Sequence, residues 1–545
     1  MQFGFESDVA KEVMRRRNDG KTARTQYETD WEQISRIYHP NRQGFASTIR
    51  RDRDNMGALY NSTTLTTARN SVANLYSALC NPANVWFQLE TADPELRDYG
   101  PMKKWSAYVS DLMLASFRPG VSNFYSAAMN LVADFGILGT GVAVDEELYG
   151  KQKIVTQPIN PGDCFIFVDA FGMVTEIIIE FRLTIVQAAR KYGLENLPED
   201  LRKKVGEKDQ NTAEYMFLQA IQPNDDFVAG QLGNNNKPVV STHVSETGKA
   251  VVKQSGFYEM PACAARWFAD TGQSYGRGLG FLNLPSGKVL QQMEKDNLQA
   301  AGFAARPPIV TAGTRANKLM QQLRPGALMH NGLSLQGQRL MAPLLTSQTL
   351  PISVQMTERK AKEVEDGWHA AMMALSGSRT GITDLEVMER IEERLTLIAP
   401  FMGNFQTEAL MPLLRRRFAI LYRAGQIPRP PIDLGGQPLN ITFTSIAAQA
   451  QKASGAVTAR RFINDIGGLA QLDPSVMDHV STHQLVEALA GAGLPVGIVR
   501  SQEDVDRIQA QRAQQQQLLE AAAVTQQGAD TAATLANAGL LEGTQ

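Results

Sequence analysis

Apolar residues recur with helical spacing through the first 138 residues. A charged helical rhythm runs over 7–38, and a break is predicted at Gly20. A second helix is expected from Ser62 to Leu79, and "VWFQLE" behind it is typical of a strand. Two more amphipathic helices follow, with Trp105, Val109 and Leu112 on the first apolar face and Phe124, Leu131, Phe135 and Leu138 on the second. The pattern predicts a helical block.

The hydrophobic period changes from 3.6 to 2 at "ILGTGVAVDEE", where Gly139 and Gly141 mark a turn and valines alternate behind it. Strand patterns continue through "FIFVDAFGMVTEIIIEF", give way to helices near "TIVQAARKYG" and "LPEDLRKKV", and resume up to "CAARWFAD". Residues 139–270 are therefore predicted to form an α+β block. Its "GNNNKP" segment is predicted to be an exposed hairpin tip.

Two long helices of matching length are predicted next. The first runs from about Ser286 to Arg306, where two prolines end it, and the second runs from near Ile352 to about Leu375. Each would span roughly 30 to 36 Å at 1.5 Å per residue. The residues between them form short strand and turn patterns rich in Gly and Pro. Matching lengths indicate an antiparallel pair with a small inserted subdomain at one end.

A polar break rich in Gly, Ser and Thr follows the second long helix and carries one arginine, Arg379. Behind it, an apolar stripe runs from Leu385 to Leu421. A helix of that extent would reach roughly 60 Å and is expected to bend at Pro400 or Pro412. The chain is predicted to be helical again from Ala447, and its Gln and Ala-rich end has little to bury.

Composition is that of a folded protein of several domains. The chain has 545 residues, of which 43% are hydrophobic and 20% charged, and its net charge of −2 gives no general attraction to nucleic acid or acidic membranes. Three widely spaced cysteines, Cys80, Cys164 and Cys263, favour buried thiols over disulfides or a metal knuckle. With no apolar leader and no run of 18 apolar residues, we expect synthesis in a cytosol and no membrane partner.

Motifs that suggest chemistry are weak in their context. "GQSYG" matches the hydrolase elbow formally, but the preceding strand pattern carries Arg266 and Asp270, and "RGLG" stands where a helix should begin. A serine hydrolase using Ser274 is kept as the alternative. "GKT" at 20–22 and "GRGLG" at 276–280 lack the spacing of phosphate loops, and His479 and His483 have no third ligand nearby. We expect no catalytic residue, cofactor or metal.

Charged clusters are interpreted as structural. The densest basic run, "LLRRRF" at 413–418, favours ion pairs over direct DNA contact. Paired carboxylates such as Glu363 and Glu365 have Lys or Arg neighbours on the same helix and are interpreted as solvated faces or subunit contacts.

The order of these elements resembles the portal protein, or head-to-tail connector, family of short-tailed bacteriophages (podoviruses). The resemblance covers nearly the whole chain. It is carried by "WEQISRIYHP" at 31–40, "ARNSVANLYSALCNPANVWFQLE" at 68–90, "DFGILGTGVAVDEE" at 134–147, "YGRGLGFLNLPSGKVLQQMEK" at 275–295, "SRTGITDLEVMERIEER" at 378–394 and "LDPSVMDHV" at 472–480.

The resemblance implies an α+β, predominantly helical portal fold with wing, stem, clip, tunnel loop and helical crown. The implied regions are the wing at 1–270, divided into a helical block 1–138 and an α+β block 139–270, a hinge and first stem helix at 271–306, the clip at 307–351, the second stem helix at 352–375, the tunnel loop at 376–384, a long kinked helix and wing return at 385–444, and the crown and tail at 445–545.

The implied function is a ring of twelve copies at one capsid vertex, through which double-stranded DNA is packaged and ejected. The expected partners are the DNA, the terminase large subunit, a tail adaptor, and the major capsid and scaffolding proteins, in a virion assembled in the host cytoplasm. The implied site residues are Ser376, Gly377, Ser378, Arg379, Thr380 and Gly381 in the tunnel loop, Arg315, Lys318, Arg324 and Arg339 in the clip, and Gly276, Gly278 and Gly280 at the hinge. A scaffolding or other internal virion protein is a further alternative.

Overall fold

A computed structural model gives the fold. It describes residues 4–40, 59–91, 99–148, 153–205, 213–231, 236–270, 272–305, 350–368 and 400–431, with the shorter pieces 42, 45, 93, 96, 233, 309–311, 328–330, 336, 338, 439–443, 508, 510–512 and 514–515. The chain divides into two compact units. The first comprises Met1–Trp86 and Leu112–Pro428, and the second comprises Phe87–Asp111 and Arg429–Gln545.

The first helix, α1, is unbroken from Gly4 to Tyr38, so the predicted break at Gly20 is wrong. A methyl group on Gly20 would lie 2.8 Å from Cβ of Phe165. Glycine is therefore needed there because the helix approaches a strand closely, and the contact outweighs the roughly 1 kcal/mol that glycine costs in a helix.

Among its described residues, the helical block contains three further helices and a wide turn. They are α2 (Thr63–Cys80), α3 (Gly100–Phe117), α4 (Phe124–Ala133) and a π-helical segment (Asp134–Leu138). The π-helical segment is fully buried and ends at Gly139, whose φ is +87°. Helices at these positions confirm the helical periodicity of the sequence.

The α+β block holds two antiparallel sheets. The first is three-stranded, in the order β3-β2-β9, and the second is five-stranded, in the order β4-β5-β6-β7-β8. Its strands are β2 (Thr140–Leu148), β3 (Lys153–Ile159), β4 (Cys164–Val168), β5 (Val174–Thr184), β6 (Glu214–Pro223), β7 (Val239–Ser245), β8 (Ala250–Phe257) and β9 (Ala262–Arg266). The α+β assignment is confirmed.

Helices cover both faces of the five-stranded sheet. Ala10 and Val13 of α1 share one core cluster with Leu218 of β6. The neighbouring Phe217 points to the other face, where it packs with α5 (Ile185–Tyr192). This alternation is the period of 2 that the sequence predicts for a strand. A single-turn helix, α6 (Glu199–Arg202), follows α5.

Two long helices form an antiparallel hairpin, as predicted. The helix α7 runs over Leu279–Ala305 and α8 over Leu350–Gly367. Asn283 of α7 bonds to Gly367 of α8, whereas Asn297 bonds to Thr357. The two helices therefore run in opposite directions. The start of α7 precedes the predicted Ser286, with Pro285 inside the helix. Between the two helices, β10 (Ile309–Thr311) pairs in parallel with β11 (Leu328–His330).

The helical pattern near residue 400 is confirmed where the structure describes it. Residues 400–405 are helical, a π-helical segment spans Gln406–Leu410, and α9 covers Met411–Arg423. Met402, Phe405, Leu413 and Leu421 are buried as the apolar stripe predicts. The wide turn lies directly before Pro412, one of the two expected bending points. Residues 385–399 lie outside the described part.

In the second unit, β1 (Phe87–Thr91) pairs antiparallel with β12 (Leu439–Phe443). The backbone N–H of Leu89 donates to Oγ of Ser110 at 2.9 Å. The predicted helices beyond Ala447, including His479 and His483, lie almost wholly outside the described residues.

Candidate functional site

The structure describes one of the three groups of implied site residues. The tunnel-loop group at 376–381 and the four clip residues, Arg315, Lys318, Arg324 and Arg339, lie outside the described part of the chain. Gly276, Gly278 and Gly280 lie within it, at the start of the helical hairpin. The structure therefore gives the geometry of the hairpin and of its attachment to the helical block.

The three glycines pack against the backbone of the buried π-helical turn. A methyl group on Gly278 would lie 2.6 Å from the carbonyl oxygen of Gly136, and one on Gly280 would overlap the carbonyl oxygen of Ile137. A methyl group on Gly276 would overlap the carbonyl oxygen of Gly139. No side chain fits between these two segments, so glycine is required at each of these positions for close packing.

Hydrogen bonds fix the same junction. The backbone N–H of Gly276 donates to Oγ1 of Thr140 at 2.9 Å, and the N–H of Trp267 donates to the carbonyl of Gly139 at 2.9 Å. The indole N–H of Trp31 donates to the carbonyl of Leu138 at 3.0 Å. The close packing and these hydrogen bonds fix the junction between the glycine segment and the π-helical turn. A hinge at these glycines stays a prediction.

Aromatic and amide side chains attach both ends of the hairpin base to the helical block. The hydroxyl of Tyr38 donates to the carbonyl of Asn283 at 2.7 Å, and the Asn283 amide donates to the carbonyl of Gly367 at 3.0 Å. The ring of Tyr38 packs on fully buried Trp368 with centroids 4.9 Å apart. Ser71 of α2 donates its hydroxyl to the Trp368 carbonyl at 3.0 Å. The base of the hairpin is thus held on α1 and α2.

Polar contacts set the register between the two hairpin helices. The Asn297 amide donates to Oγ1 of Thr357 at 2.9 Å, and its oxygen accepts from the hydroxyl of Ser353. Nearer the base, the Ser286 hydroxyl donates to Glu363 at 2.8 Å. Glu363 also accepts from Lys360 of its own helix, and its side chain is exposed, as expected for a solvated face.

The outer side of the hairpin leaves large apolar residues in solvent. Leu282 is 75% exposed, and Pro285 and Val289 are also exposed along the same side of α7 at i, i+3 and i+7. On α8, Val354 and Met356 are exposed. Leu282, Pro285 and Val289 therefore form an apolar stripe that is exposed on the described part of α7.

The basic run at 413–418 forms buried ion pairs, as predicted. Arg417 is fully buried and its Nε donates to the equally buried carboxylate of Asp145 at 3.1 Å. Further bonds go to the Ser116 carbonyl and the Ser122 hydroxyl. Burial lowers the pKa of Arg417, and the Asp145 charge opposes that shift. Arg416 donates to the Asp145 carbonyl, whereas Arg415 is exposed.

A second ion pair, which is partly buried, joins the strand β9 to the π-helical segment near residue 408. The guanidinium of Arg266 is paired with the carboxylate of Glu408, which also accepts from the Arg266 backbone N–H at 2.8 Å. Another guanidinium N–H of Arg266 donates to the carbonyl of Gly172 at 2.6 Å. Sequence reasoning missed this pair, because 142 residues separate the partners and neither has a distinctive local pattern.

A third group of charges lies at the π-helical turn. Both carboxylate oxygens of Asp134 accept from Arg42, at 3.0 and 2.6 Å, and Nε2 of His39 is 3.9 Å away. Burial raises the pKa of Asp134 to about 6, against the lowering effect of Arg42. Burial, together with Arg42 and Arg69, lowers the pKa of His39 to about 4. His39 is therefore neutral near pH 7.

Ser274 lies in a setting unlike a nucleophile elbow. The strand β9 ends at Arg266, eight positions earlier, and α7 starts only at Leu279. His243 bonds to the hydroxyl of Tyr192, and within the described ranges Ser274 has no hydrogen bond to a histidine. The serine hydrolase alternative therefore has no geometric support.

The remaining candidates from the sequence are the three cysteines, a metal site and a membrane-spanning helix. Cys80, Cys164 and Cys263 are free and buried, which confirms their expected role as small core residues. Burial raises the pKa of Cys263 to about 12. Among the residues that the structure describes, no cluster of His, Cys, Asp and Glu has the arrangement of a metal site. No described helix is both long and apolar enough to cross a membrane.

The described part of the chain thus presents an anchored helical hairpin with apolar side chains exposed along it. A family model described as bacteriophage head to tail connecting protein matches residues 10–499. The chain therefore belongs to the family of bacteriophage head-to-tail connecting proteins, and it is a structural component of the virion. The predicted family is confirmed.

Individual relatives agree with the family. The chain is 30% identical over 524 residues to a portal protein of Salmonella phage epsilon15, covering 94% of this chain and 93% of the relative. It is 27% identical over 527 residues to a probable portal protein of Bordetella phage BPP-1, with the same coverage.

A comparison with solved structures gives a chain in a structure titled neck of empty GTA particle computed with C6 symmetry. That chain is 13% identical, with a TM-score of 0.33, and the match covers 78% of this chain and 90% of that chain.

Proposed function

We propose that this chain is a portal subunit, and that a ring of twelve copies forms a channel for double-stranded DNA at one capsid vertex. The observation that carries the proposal is the family match over residues 10–499, on a chain that contains a long antiparallel helical hairpin. Such a ring needs identical interfaces that close after a fixed rotation per subunit. Twelve copies of the 59.8 kDa chain give about 0.72 MDa.

The exposed apolar stripe of the hairpin supports association between copies. Leu282, Pro285 and Val289 would be covered by a neighbouring hairpin in the ring. Because covering each large aliphatic side chain contributes roughly 1.5 to 3 kcal/mol, a repeated contact of this kind stabilises a closed ring. In this assignment 271–306 and 352–375 form the stem that surrounds the channel.

The segment 376–384 is the proposed tunnel loop at the narrowest point of the channel. Glycines at 377 and 381 permit sharp changes of backbone direction. Ser376, Ser378 and Thr380 supply neutral hydroxyl groups, and Arg379 supplies a cation for phosphate. One cation per subunit gives weak, sequence-independent contact, which suits a duplex that has to slide.

The remaining regions have proposed partners. The clip at 307–351 would contact first the terminase large subunit and later the tail adaptor, through basic residues, namely Arg315, Lys318, Arg324 and Arg339. The wing at 1–270 and the return at 385–444 would lie next to the capsid and scaffolding proteins. The crown at 445–545 would lie inside the capsid.

The tunnel-loop role is tested by substitution in the phage genome. We expect Arg379→Ala to assemble into normal rings but to lower the yield of DNA-filled particles severalfold, because a phosphate contact is lost from every subunit. Arg379→Lys should keep most of that yield, since it keeps the charge.

Arg415→Ala is the matched control, because Arg415 is an exposed arginine on α9. The measurement is the ratio of filled to empty particles in purified lysates. If phage carrying Arg379→Ala fill their particles as well as the wild type, Arg379 does not contact DNA.

A further inference from the structure

Two loops at the same end of the five-stranded sheet expose large apolar side chains. The β4–β5 turn displays Phe171, which is 89% exposed, and Met173, which is 66% exposed. The β6–β7 loop displays Phe227 and Val228, both exposed. The β5–β6 register, in which Ile177 faces Ile221, brings both loops to one end of the sheet. We name these loops the Phe171 tip (residues 169–173) and the Phe227 tip (residues 224–228).

The Phe171 tip is held in one conformation by polar contacts. The Asp169 carboxylate accepts from the backbone N–H groups of Phe171 and Met173, at 2.9 and 2.8 Å. Gly172 has φ of +79°, and its carbonyl accepts from the buried Arg266 guanidinium. An aromatic side chain presented on a fixed turn loses little conformational freedom on binding, which favours its use as an anchor.

The Phe227 tip is ordered in the same manner. The Asn236 side chain accepts from the N–H of Val228 at 2.9 Å and donates to the Val228 carbonyl at 2.8 Å. The Asn224 side chain accepts from the N–H of Asp226 and donates to the Lys237 carbonyl. Both tips are therefore pre-organised although their apolar side chains face solvent.

The charged residues within the two tips are all acidic, and Arg266, which donates to the Phe171 tip, is paired with Glu408. Asp169, Asp225 and Asp226 lie within them, and residues 169–173 and 224–228 contain no Lys or Arg. The next cation along the loop, Lys237, donates to the Gly256 carbonyl and lies over the ring of Tyr258 on the β8 side. A partner for these tips therefore has to combine apolar side chains with positive charge.

The separation of the strands that carry the two tips restricts the partner further. The Phe171 tip joins β4 and β5, and the Phe227 tip joins β6 and β7, so the tips are two strand positions apart. At about 4.8 Å between strands, the strand ends that carry the two tips are roughly 10 Å apart. Residues seven positions apart on one face of an α-helix are separated by about 10.5 Å.

We propose that the Phe171 tip and the Phe227 tip together bind an amphipathic helical segment of a separate protein, with apolar residues seven positions apart and Lys or Arg between them. This docking surface goes beyond the channel function and does not depend on it. Each tip contacts one apolar residue of the helix, and the aspartates face its cations.

A peptide-binding experiment tests the proposal on the full-length protein. The probe is a fluorescent helical peptide with leucines seven positions apart and lysines between them, and its matched control carries glutamate in place of each lysine. Fluorescence anisotropy should show binding at least about tenfold tighter for the lysine peptide, weakening as salt increases. Equal affinity for the two peptides would overturn the proposal.

Three variants locate the binding. Phe171→Ser and Phe227→Ser should each weaken binding of the lysine peptide about tenfold, as expected for an interface aromatic. Leu194→Ser, an exposed apolar control outside both tips, should leave it unchanged. Unchanged binding by Phe171→Ser overturns the proposal. So does efficient Phe171→Cys cross-linking between copies, because a second copy would then occupy the surface.

Discussion

Buried arginines neutralise carboxylates that have no access to water. Arg417 and Asp145 are both fully buried, and Thr156 and Ser122 complete their hydrogen bonds. Removing two charges from water is expensive, so such a pair contributes little net stability, but loss of one partner leaves an uncompensated charge. The residues of this group therefore have to be interpreted together.

We predict that Arg417→Met destabilises the chain by about 3 to 5 kcal/mol, because the Asp145 carboxylate is left buried and unpaired. The double variant Arg417→Met with Asp145→Leu should recover most of that loss. Arg415→Met is the control on the same helix and should change stability by less than about 0.5 kcal/mol. Denaturant unfolding followed by circular dichroism measures all three, and a double variant that is no more stable than Arg417→Met would contradict the account.

His39 should make stability depend on pH. Its pKa is about 4 in the fold, against an ordinary pKa of 6.5, so between these pH values the unfolded chain binds the proton and the folded chain does not. Stability from this group is present above about pH 6.5 and is lost as the pH falls towards 4. Asp134 acts in the opposite direction over about pH 4 to 6, because burial raises its pKa.

We therefore predict that His39→Gln loses less stability than the wild type on acidification from pH 7 to pH 5, by about 1 to 2 kcal/mol. Unfolding free energies of both proteins at several pH values give the difference. A pH-independent difference between them would show that His39 is not shielded from protonation in the fold.

At the scale of elements, the attachment of α7 decides how the hairpin is placed. Gly276, Gly278 and Gly280 bring the start of this helix onto the π-helical turn without an intervening side chain. Asn283 and Trp368 then connect the hairpin to α1 and α2. The hairpin is consequently attached at its base on several sides.

We predict that Gly280→Ala lowers the melting temperature markedly, because its methyl group would overlap the Ile137 carbonyl oxygen. The expected cost is about 1 to 3 kcal/mol. Gly403→Ala is a matched control in a helix, since no atom lies within 4 Å of its added methyl group, and it should be neutral or stabilising. Differential scanning calorimetry compares them, and an equal effect of the two substitutions would contradict close packing at Gly280.

Elements were predictable where one local pattern dominates. Helical and alternating periods located α2, β5 and the hairpin, because those patterns reflect which face is buried. Gly20 and Pro285 misled, since long-range packing overrides the local preference for a break. The Arg266–Glu408 pair and the glycine junction join distant segments, and no local pattern encodes such contacts. The implied tunnel-loop and clip residues came from the family resemblance alone.

At the scale of the whole molecule, the central claim is that many copies surround a channel. In the proposed ring, neighbouring copies would cover the exposed stripe at Leu282, Pro285 and Val289. In such a ring the charge per subunit stays small, since the chain has a net charge of −2. In the proposed ring, a nearly neutral subunit would hold DNA loosely enough for movement in both directions.

Electron cryo-microscopy of the purified full-length protein tests this claim most directly. The account predicts closed rings with a central channel wide enough for a DNA duplex, with the α7–α8 hairpin around that channel and residue 379 directed into it. Rings without such a lumen, residue 379 on the outer rim, or a protein that stays monomeric at high concentration would contradict it.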